Sequence, residues 1–172
     1  MRAGLSAAAA ALALAVAVAC SQPGPETSGS GSGDLPVTVV GTEEGLLEGQ
    51  MADGDAGIRV FRGIPYAAPP VGDLRFRPPA PPFSWKGIRP ALEPGAPCWQ
   101  EISPLTSIYS RGEMDMDENC LVLDLWTGAA SAEERRPVMV WFHGGGHTVG
   151  HGSSLIFDGT NLARKGVVLV SA

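Results

Sequence analysis

The sequence contains no run of basic residues that could follow a nucleic-acid backbone. Its 172 residues include 12 Lys and Arg against 18 Asp and Glu, which gives a formal net charge of −6. Because affinity for nucleic acids comes mainly from cations that neutralise phosphates, this composition argues against DNA and RNA as partners. Hydrophobic residues make up 44% of the chain, which is enough for the packed core of one domain.

Cysteine is also scarce: the chain has three cysteines, Cys20, Cys98 and Cys120. Three cysteines in an exported protein leave one thiol over when the other two pair. Residues 1–19 predict export, since one basic residue precedes an uncharged run of Ala, Leu and Val, as in secretory signal peptides. That run is too short and too rich in alanine to predict a membrane span, which needs about 20 apolar residues.

The end of this signal peptide allows two kinds of processing. Ala17 and Ala19 fit an A-x-A cleavage signal, which would release a secreted protein. Cys20 stands where bacterial lipoproteins carry their lipidated residue, and its lipidation would leave the other two cysteines free to pair. We expect an exported lipoprotein that contacts the membrane only through Cys20, with plain secretion as the alternative. Residues 20–34, rich in Gly, Ser and Pro, predict a flexible tether before a folded part at 35–172.

The first half of the folded part has short β-rich runs and many prolines. Runs at 36–40, 45–50 and 58–63 are broken by glycine and predict an antiparallel meander that forms a lid or an edge. Ten prolines from Pro65 to Pro97 argue against a long helix or a central strand and predict an ordered, irregular loop.

The second half has two nearly continuous apolar runs, at 138–142 and 167–171, of the kind found in strands buried on both faces. Between them, Asp158 or Thr160 is suited to cap a short helix that Lys165 and Gly166 close. A strand, a glycine loop, a helix and a strand in this order predict an α/β crossover.

The glycine loop in this crossover has the sequence WFHGGGHTVGHGSS, residues 141 to 154, and holds every histidine of the chain. The spacing of His143, His147 and His151 would suit a metal site only on a helix, and five glycines argue against a helix there. The loop also has no Asp, Glu or Cys that could complete a set of ligands. Neither phosphate-loop pattern occurs in it, so we expect no cofactor.

Three consecutive glycines after a buried strand carry a high cost in backbone entropy unless they serve a purpose. One such purpose is the oxyanion-hole loop of α/β-hydrolases, where the absence of side chains lets backbone N–H groups approach a developing negative charge.

The wider sequence resembles the type-B carboxylesterase family, which includes the cholinesterases. The resemblance is carried by FRGIPYAAPPVGDLRFRPP (61–79), CWQ (98–100), DENCLVLDLW (117–126), PVMVWFHGGGHTVG (137–150) and FDGTNLARKGVVLVSA (157–172). It implies an α/β-hydrolase fold in which antiparallel strands lead into a mostly parallel sheet. It also implies hydrolysis of small-molecule carboxylic esters by a catalytic triad, which consists of a serine, an acidic residue (Glu or Asp) and a histidine.

The same resemblance assigns roles within the glycine loop. The N–H groups of Gly145 and Gly146 correspond to the oxyanion donors of the family. His143 corresponds to a structural neighbour of these donors, and His147 replaces the apolar or aromatic residue that usually follows the triplet.

The resemblance further implies two structural links in the first half of the folded part. Cys98 and Cys120 correspond to an early disulfide of the family, and an exported chain would meet the oxidising conditions that favour it. Arg75 and Glu118 correspond to a salt bridge next to that disulfide.

The catalytic residues of the family are missing from these 172 residues, since no Gly-x-Ser-x-Gly sequence occurs. The resemblance places the nucleophile well downstream of the oxyanion loop, followed by the acid and the base. We therefore expect a truncated, N-terminal part of a hydrolase that is inactive without the missing C-terminal part. The alternative is a non-catalytic, surface-tethered interaction domain, although such a domain has no need of an intact glycine triplet.

Overall fold

The computed structural model describes residues 37–52, 54–101, 115–131 and 133–172. The signal peptide, the tether and Cys20 that the sequence predicts lie outside the described residues. All of these described residues belong to one compact unit. Among the described residues, no helix combines the length and apolar character needed to cross a membrane.

The described part of the chain contains eight strands and one short α-helix. In chain order they are β1 Val39–Gly41, β2 Leu46–Glu48, β3 Gln50–Ala52, β4 Asp55–Pro65, β5 Ile88–Pro90, β6 Val122–Thr127, β7 Val138–Trp141, α1 Thr160–Arg164 and β8 Val168–Ser171.

The strands form two sheets. The smaller sheet has the order β1-β2-β5, with β1 antiparallel and β5 parallel to β2. The larger sheet has the order β3-β4-β6-β8-β7, in which only β7 and β8 are parallel. The predicted antiparallel strands therefore do lead into a parallel pair, and the described sheet ends there.

β4 differs from its predicted place in a lid or edge meander. It is the second strand of the larger sheet and pairs with β3 on one side and β6 on the other. The reason is that both faces of β4 are buried. Val60 packs in a core cluster with Trp126, and the next residue, Phe61, packs with Leu47 of the smaller sheet. Successive side chains of a strand point to opposite faces, so β4 joins the two core clusters.

The predicted α/β crossover from β7 through the glycine loop and α1 to β8 is confirmed. The cap differs from the prediction, because Gly159 and neither Asp158 nor Thr160 is the N-cap residue of α1. The Asp158 carboxylate still accepts a hydrogen bond of 2.9 Å from the Thr160 N–H at the start of the helix. Gly166 has a φ of +89°, in the left-handed region that commonly follows a helix end.

The apolar run of β7 is not buried on both faces, which corrects the prediction. Val138 is 62% exposed and Val140 is 51% exposed. β7 is an edge strand that pairs only with β8 among the described strands, whereas β8 lies between two strands and alternates between partly and fully buried side chains.

Candidate functional site

The glycine loop after β7 turns sharply because several of its residues are left-handed. The φ angles are +126° at Gly145, +64° at Gly146 and +62° at His147. Any Cβ at Gly145 would overlap the carbonyl oxygen of Val149, so the close approach of these two residues requires glycine. The loop is a turn and not a helix, as its sequence predicts.

This turn is closed by hydrogen bonds to one acceptor. The carbonyl oxygen of Gly145 accepts bonds from the Thr148 N–H at 3.2 Å, the Thr148 Oγ1 at 3.0 Å and the Val149 N–H at 3.3 Å. The Gly145 carbonyl oxygen therefore has all of its hydrogen bonds within the loop. On the donor side, neither the N–H of Gly145 nor that of Gly146 donates a hydrogen bond to any residue that the structure describes. Two neighbouring donors thus remain available to a ligand.

An open cleft of about 870 Å³ lies beside the loop. Its walls include glycines of the loop, aromatic side chains and the ends of β7 and β8; the residues are Tyr66, Cys98, Trp99, Gln100, Leu123, Val140, Phe142, His143, Gly144, Gly146, His147, Thr148, Val149, Gly150, Val170 and Ala172. No Asp, Glu, Lys or Arg side chain is among the described residues of these walls. Burial raises the pKa of the Tyr66 hydroxyl above its ordinary value of 10.0. A hydrogen bond to an anion is stronger in such apolar surroundings than in water.

The histidines of the loop do not form a metal site in the structure. Across the described residues, no group of three or more His, Cys, Asp or Glu side chains is arranged to hold a metal ion. His143 and His147 line the cleft, and the His143 Nδ1 lies 2.7 Å from the carbonyl oxygen of Gly144.

Cys98 and Cys120 form a disulfide with a Cα–Cα distance of 5.0 Å, and Cys98 lies on the wall of the cleft. Gln100, two residues later, was assigned no role from the sequence. Its side-chain amide binds the backbone of Gly150, accepting from the N–H at 2.5 Å and donating to the carbonyl oxygen at 2.9 Å. In the sequence, this role of Gln100 is indicated only by its place in the CWQ motif.

Arg75 and Glu118 form an ion pair with a distance of 3.0 Å from Nη1 to Oε1. The two side chains are 52% and 34% exposed, so water screens their attraction. The pair borders a pocket together with Cys98 and Cys120, so it lies near the disulfide, and neither side chain is among the residues that line the cleft.

A second buried polar group that the sequence did not single out is Asp124 on β6. Its Oδ1 accepts a 2.9 Å bond from the Gly63 N–H, and its Oδ2 lies 3.3 Å from Arg62 Nη1. Burial raises the pKa of this carboxyl, and hydrogen bonds from Gly63 and Ser153 and the charge of Arg62 oppose that rise. Because Ser153 lies near the end of the glycine loop, Asp124 links the sheet to that end of the loop.

Comparison with known proteins matches the chain to one protein family. A family model described as the carboxylesterase family matches residues 36–172. The fumonisin B1 esterase of Sphingopyxis macrogoltabida is 41% identical over 138 residues, which are 80% of this chain and 24% of that protein.

Solved structures give the same result. A PNB esterase superposes with a TM-score of 0.70 and 34% identity over 79% of this chain and 27% of its own. The carboxylesterase of Geobacillus stearothermophilus superposes with a TM-score of 0.65 and 41% identity over 77% of this chain and 25% of its own. The chain therefore spans about a quarter of the length of the relatives it matches.

Proposed function

The chain belongs to the carboxylesterase family and has part of the α/β-hydrolase fold, and from this premise we propose that its glycine loop forms the oxyanion hole of an ester hydrolase. The N–H groups of Gly145 and Gly146 are the donors. The observation that carries the proposal is that both N–H groups are free of partners among the described residues while Gly146 lines an open, largely apolar cleft.

The chemistry follows from the position of these donors. When a nucleophile attacks the carbonyl carbon of an ester, the carbonyl oxygen becomes an alkoxide. Hydrogen bonds from the two glycine N–H groups stabilise this charge more than they stabilise the uncharged ester, which lowers the barrier. Loss of one such donor typically reduces kcat by about 10²–10³.

The nucleophile, its base and the acid are proposed to come from sequence beyond these 172 residues. No Gly-x-Ser-x-Gly sequence occurs within them. The 172-residue chain should therefore hydrolyse p-nitrophenyl acetate no faster than the buffer does. Hydrolysis by the purified chain that a serine-directed phosphonate abolishes would contradict this part of the proposal.

A chimera tests the oxyanion hole itself. Residues 36–172 replace the aligned segment of the Geobacillus stearothermophilus carboxylesterase, and hydrolysis of p-nitrophenyl acetate is measured. We expect an active chimera in which Gly146→Ala lowers kcat by about 100-fold or more. Gly146 lines the cleft, and a Cβ there would meet no protein atom within 4 Å, so the added methyl group would occupy open space at a residue that carries one of the donors. Gly166→Ala is the matched control, since it also has positive φ and open space around its Cβ but lies at the end of α1.

The outcomes of this test are distinct. Equal loss of activity in both variants would show that backbone strain alone is responsible and would contradict the proposed role of the loop. An inactive chimera, together with a purified chain that is monomeric and unfolds cooperatively, would favour the non-catalytic interaction domain.

We also propose that the esterase is exported and anchored by a lipid on Cys20. The support is the position of Cys20 after the apolar run and the pairing of the other two cysteines in the structure. Mass spectrometry of the membrane fraction should find a diacylglyceryl group on Cys20. An unmodified N-terminus in the soluble fraction would contradict the anchor. Stable anchoring generally needs more than one acyl chain, so partial modification would release part of the protein.

A further inference from the structure

The peptide groups of Gly150 depend on one distant side chain. Gly150 is buried, so both its N–H and its carbonyl oxygen need hydrogen-bond partners inside the protein. The Gln100 amide supplies both, with Oε1 accepting at 2.5 Å and Nε2 donating at 2.9 Å. Only a planar group that carries an acceptor and a donor side by side can make this pair of bonds, and among side chains the primary amide does so at neutral pH.

Gln100 is itself held in place. Its Nε2 also donates to the Cys98 carbonyl oxygen at 3.1 Å, and its backbone N–H lies 3.3 Å from the Met116 Sδ. Cys98 is joined to Cys120 by the disulfide. The amide that holds Gly150 is therefore attached to a covalently constrained segment that also lines the cleft.

Gly150 in turn sets the shape of the glycine loop. A Cβ at Gly150 would stand 2.6 Å from the His143 Nδ1 and 2.8 Å from the Gly144 carbonyl oxygen, so Gly150 packs against the start of the loop. The residues just before it, Thr148 and Val149, bind the Gly145 carbonyl oxygen. Fixing Gly150 consequently fixes both ends of the turn that carries the two donors.

From these contacts we infer that Gln100 is a positioning residue, which holds the N–H groups of Gly145 and Gly146 in place through Gly150. This inference rests on the proposed function of the loop. Gln100 acts on the donors and not on the ester, so its loss should reduce the rate of the chemical step more than the binding of substrate.

Hydrogen–deuterium exchange of the full 172-residue chain, with its disulfide intact, tests the structural part. Gln100→Ala removes both bonds, and Gln100→Glu keeps the size and the acceptor but loses the donor at neutral pH. We expect exchange of amides in peptides covering 143–150 to rise about tenfold or more in both variants, while peptides of β6 and β8 stay unchanged. Gln50→Ala is the control, because Gln50 is an exposed glutamine with one long bond to Leu92.

Two results of this experiment would overturn the inference. One is unchanged exchange of the loop in the Gln100 variants. The other is an equal rise in all peptides, which would show general destabilisation and no specific effect on the loop.

Kinetics of the chimeric esterase test the catalytic part. Gln100→Ala and Gln100→Glu should lower kcat tenfold or more and change KM less than about threefold, and Gln50→Ala should change neither. Unchanged kcat in the Gln100 variants would overturn the inference. A chimera that is inactive with Gln100 intact would instead count against the proposed function, and the exchange experiment then decides the role of Gln100.

Discussion

Asp124 on β6 and Ser171 on β8 lie directly opposite each other in the sheet, and neither residue is exposed to solvent. The Ser171 hydroxyl donates to the Gly152 carbonyl oxygen at 2.6 Å. Asp124 binds Arg62 and Gly63. Buried polar groups stabilise a fold only when their hydrogen bonds are made. Ser171 binds Gly152 and Asp124 binds Ser153, so this pair holds the end of the glycine loop on the sheet.

The buried Asp124 carboxyl should make stability depend on pH. Burial raises its pKa above the ordinary value of 3.8, so the folded chain holds this proton to higher pH than the unfolded chain does. The contribution of Asp124 is therefore most favourable below pH 3.8 and is lost as pH rises through the folded pKa. Asp124→Asn cannot ionise, so its free energy of unfolding relative to the wild type should increase as pH rises. Urea denaturation at a series of pH values measures this difference, and a constant difference would contradict the prediction.

Removal of the disulfide should destabilise the fold. Cys98 and Cys120 are separated by 22 positions, and closing a loop of that size contributes about 3 kcal/mol in the chain-entropy model. Cys98→Ala with Cys120→Ala should lower the free energy of unfolding by about that amount, as measured by denaturant titration. The comparison with the reduced wild type separates loss of the bridge from loss of the side chains. A change below about 1 kcal/mol would show that the bridge contributes little.

The ion pair of Arg75 and Glu118 should contribute little, because more than a third of the Arg75 side chain and about a third of the Glu118 side chain face water. In a double-mutant cycle with Arg75→Ala and Glu118→Ala, we expect a coupling energy of about 0.2–1 kcal/mol. The coupling should fall further at 1 M salt. A coupling of several kcal/mol would show that the pair pins the proline-rich loop to the sheet.

Glycine at position 147 should stabilise the loop. His147 has a φ of +62°, and a non-glycine residue in this region costs about 1–2 kcal/mol. Glycine removes that cost, but the greater conformational entropy of glycine in the unfolded chain lowers the free energy of unfolding by about 0.5–1 kcal/mol. His147→Gly should therefore raise the free energy of unfolding by up to about 1 kcal/mol. His143→Gly is the control, since His143 has no positive φ to relieve and should lose stability.

The exposed edge strand β7 should cause self-association of the isolated chain. Unpaired edges with apolar side chains join other edges, and a lysine on the strand blocks such pairing. Val140 on β7 is 51% exposed, and Val37, which precedes β1, is 66% exposed. In sedimentation velocity, Val140→Lys should shift the chain toward monomer and Val37→Lys should not. Equal effects would mean that added charge, and not the edge, controls association.

The sequence predicted the features that depend on local chemistry. The crossover around β7 and β8 follows from apolar runs and helix-end residues such as Asp158 and Gly166 that act over a few positions. The motifs that resemble carboxylesterases likewise pointed to the family that the comparisons show.

The features that were missed depend on contacts between distant parts of the chain. The bonds between Gln100 and Gly150 span 50 positions, and no local pattern marks a glutamine as the partner of a buried peptide. The same holds for β4, since its burial on both faces arises only when the smaller sheet packs on Phe61. Exposure of β7 depends on its place at the edge of the sheet, which the composition of the strand does not encode.

The order of strands in the larger sheet also has a consequence for synthesis. β8 lies between β6 and β7 although it is made after both of them. The apolar segment of β7 therefore leaves the ribosome before β8, its partner among the described strands, because residues 168–171 are made later. At about 5–20 residues per second, that interval lasts on the order of seconds. During this time the apolar edge of β7 is exposed, which makes the segment a place where aggregation can start.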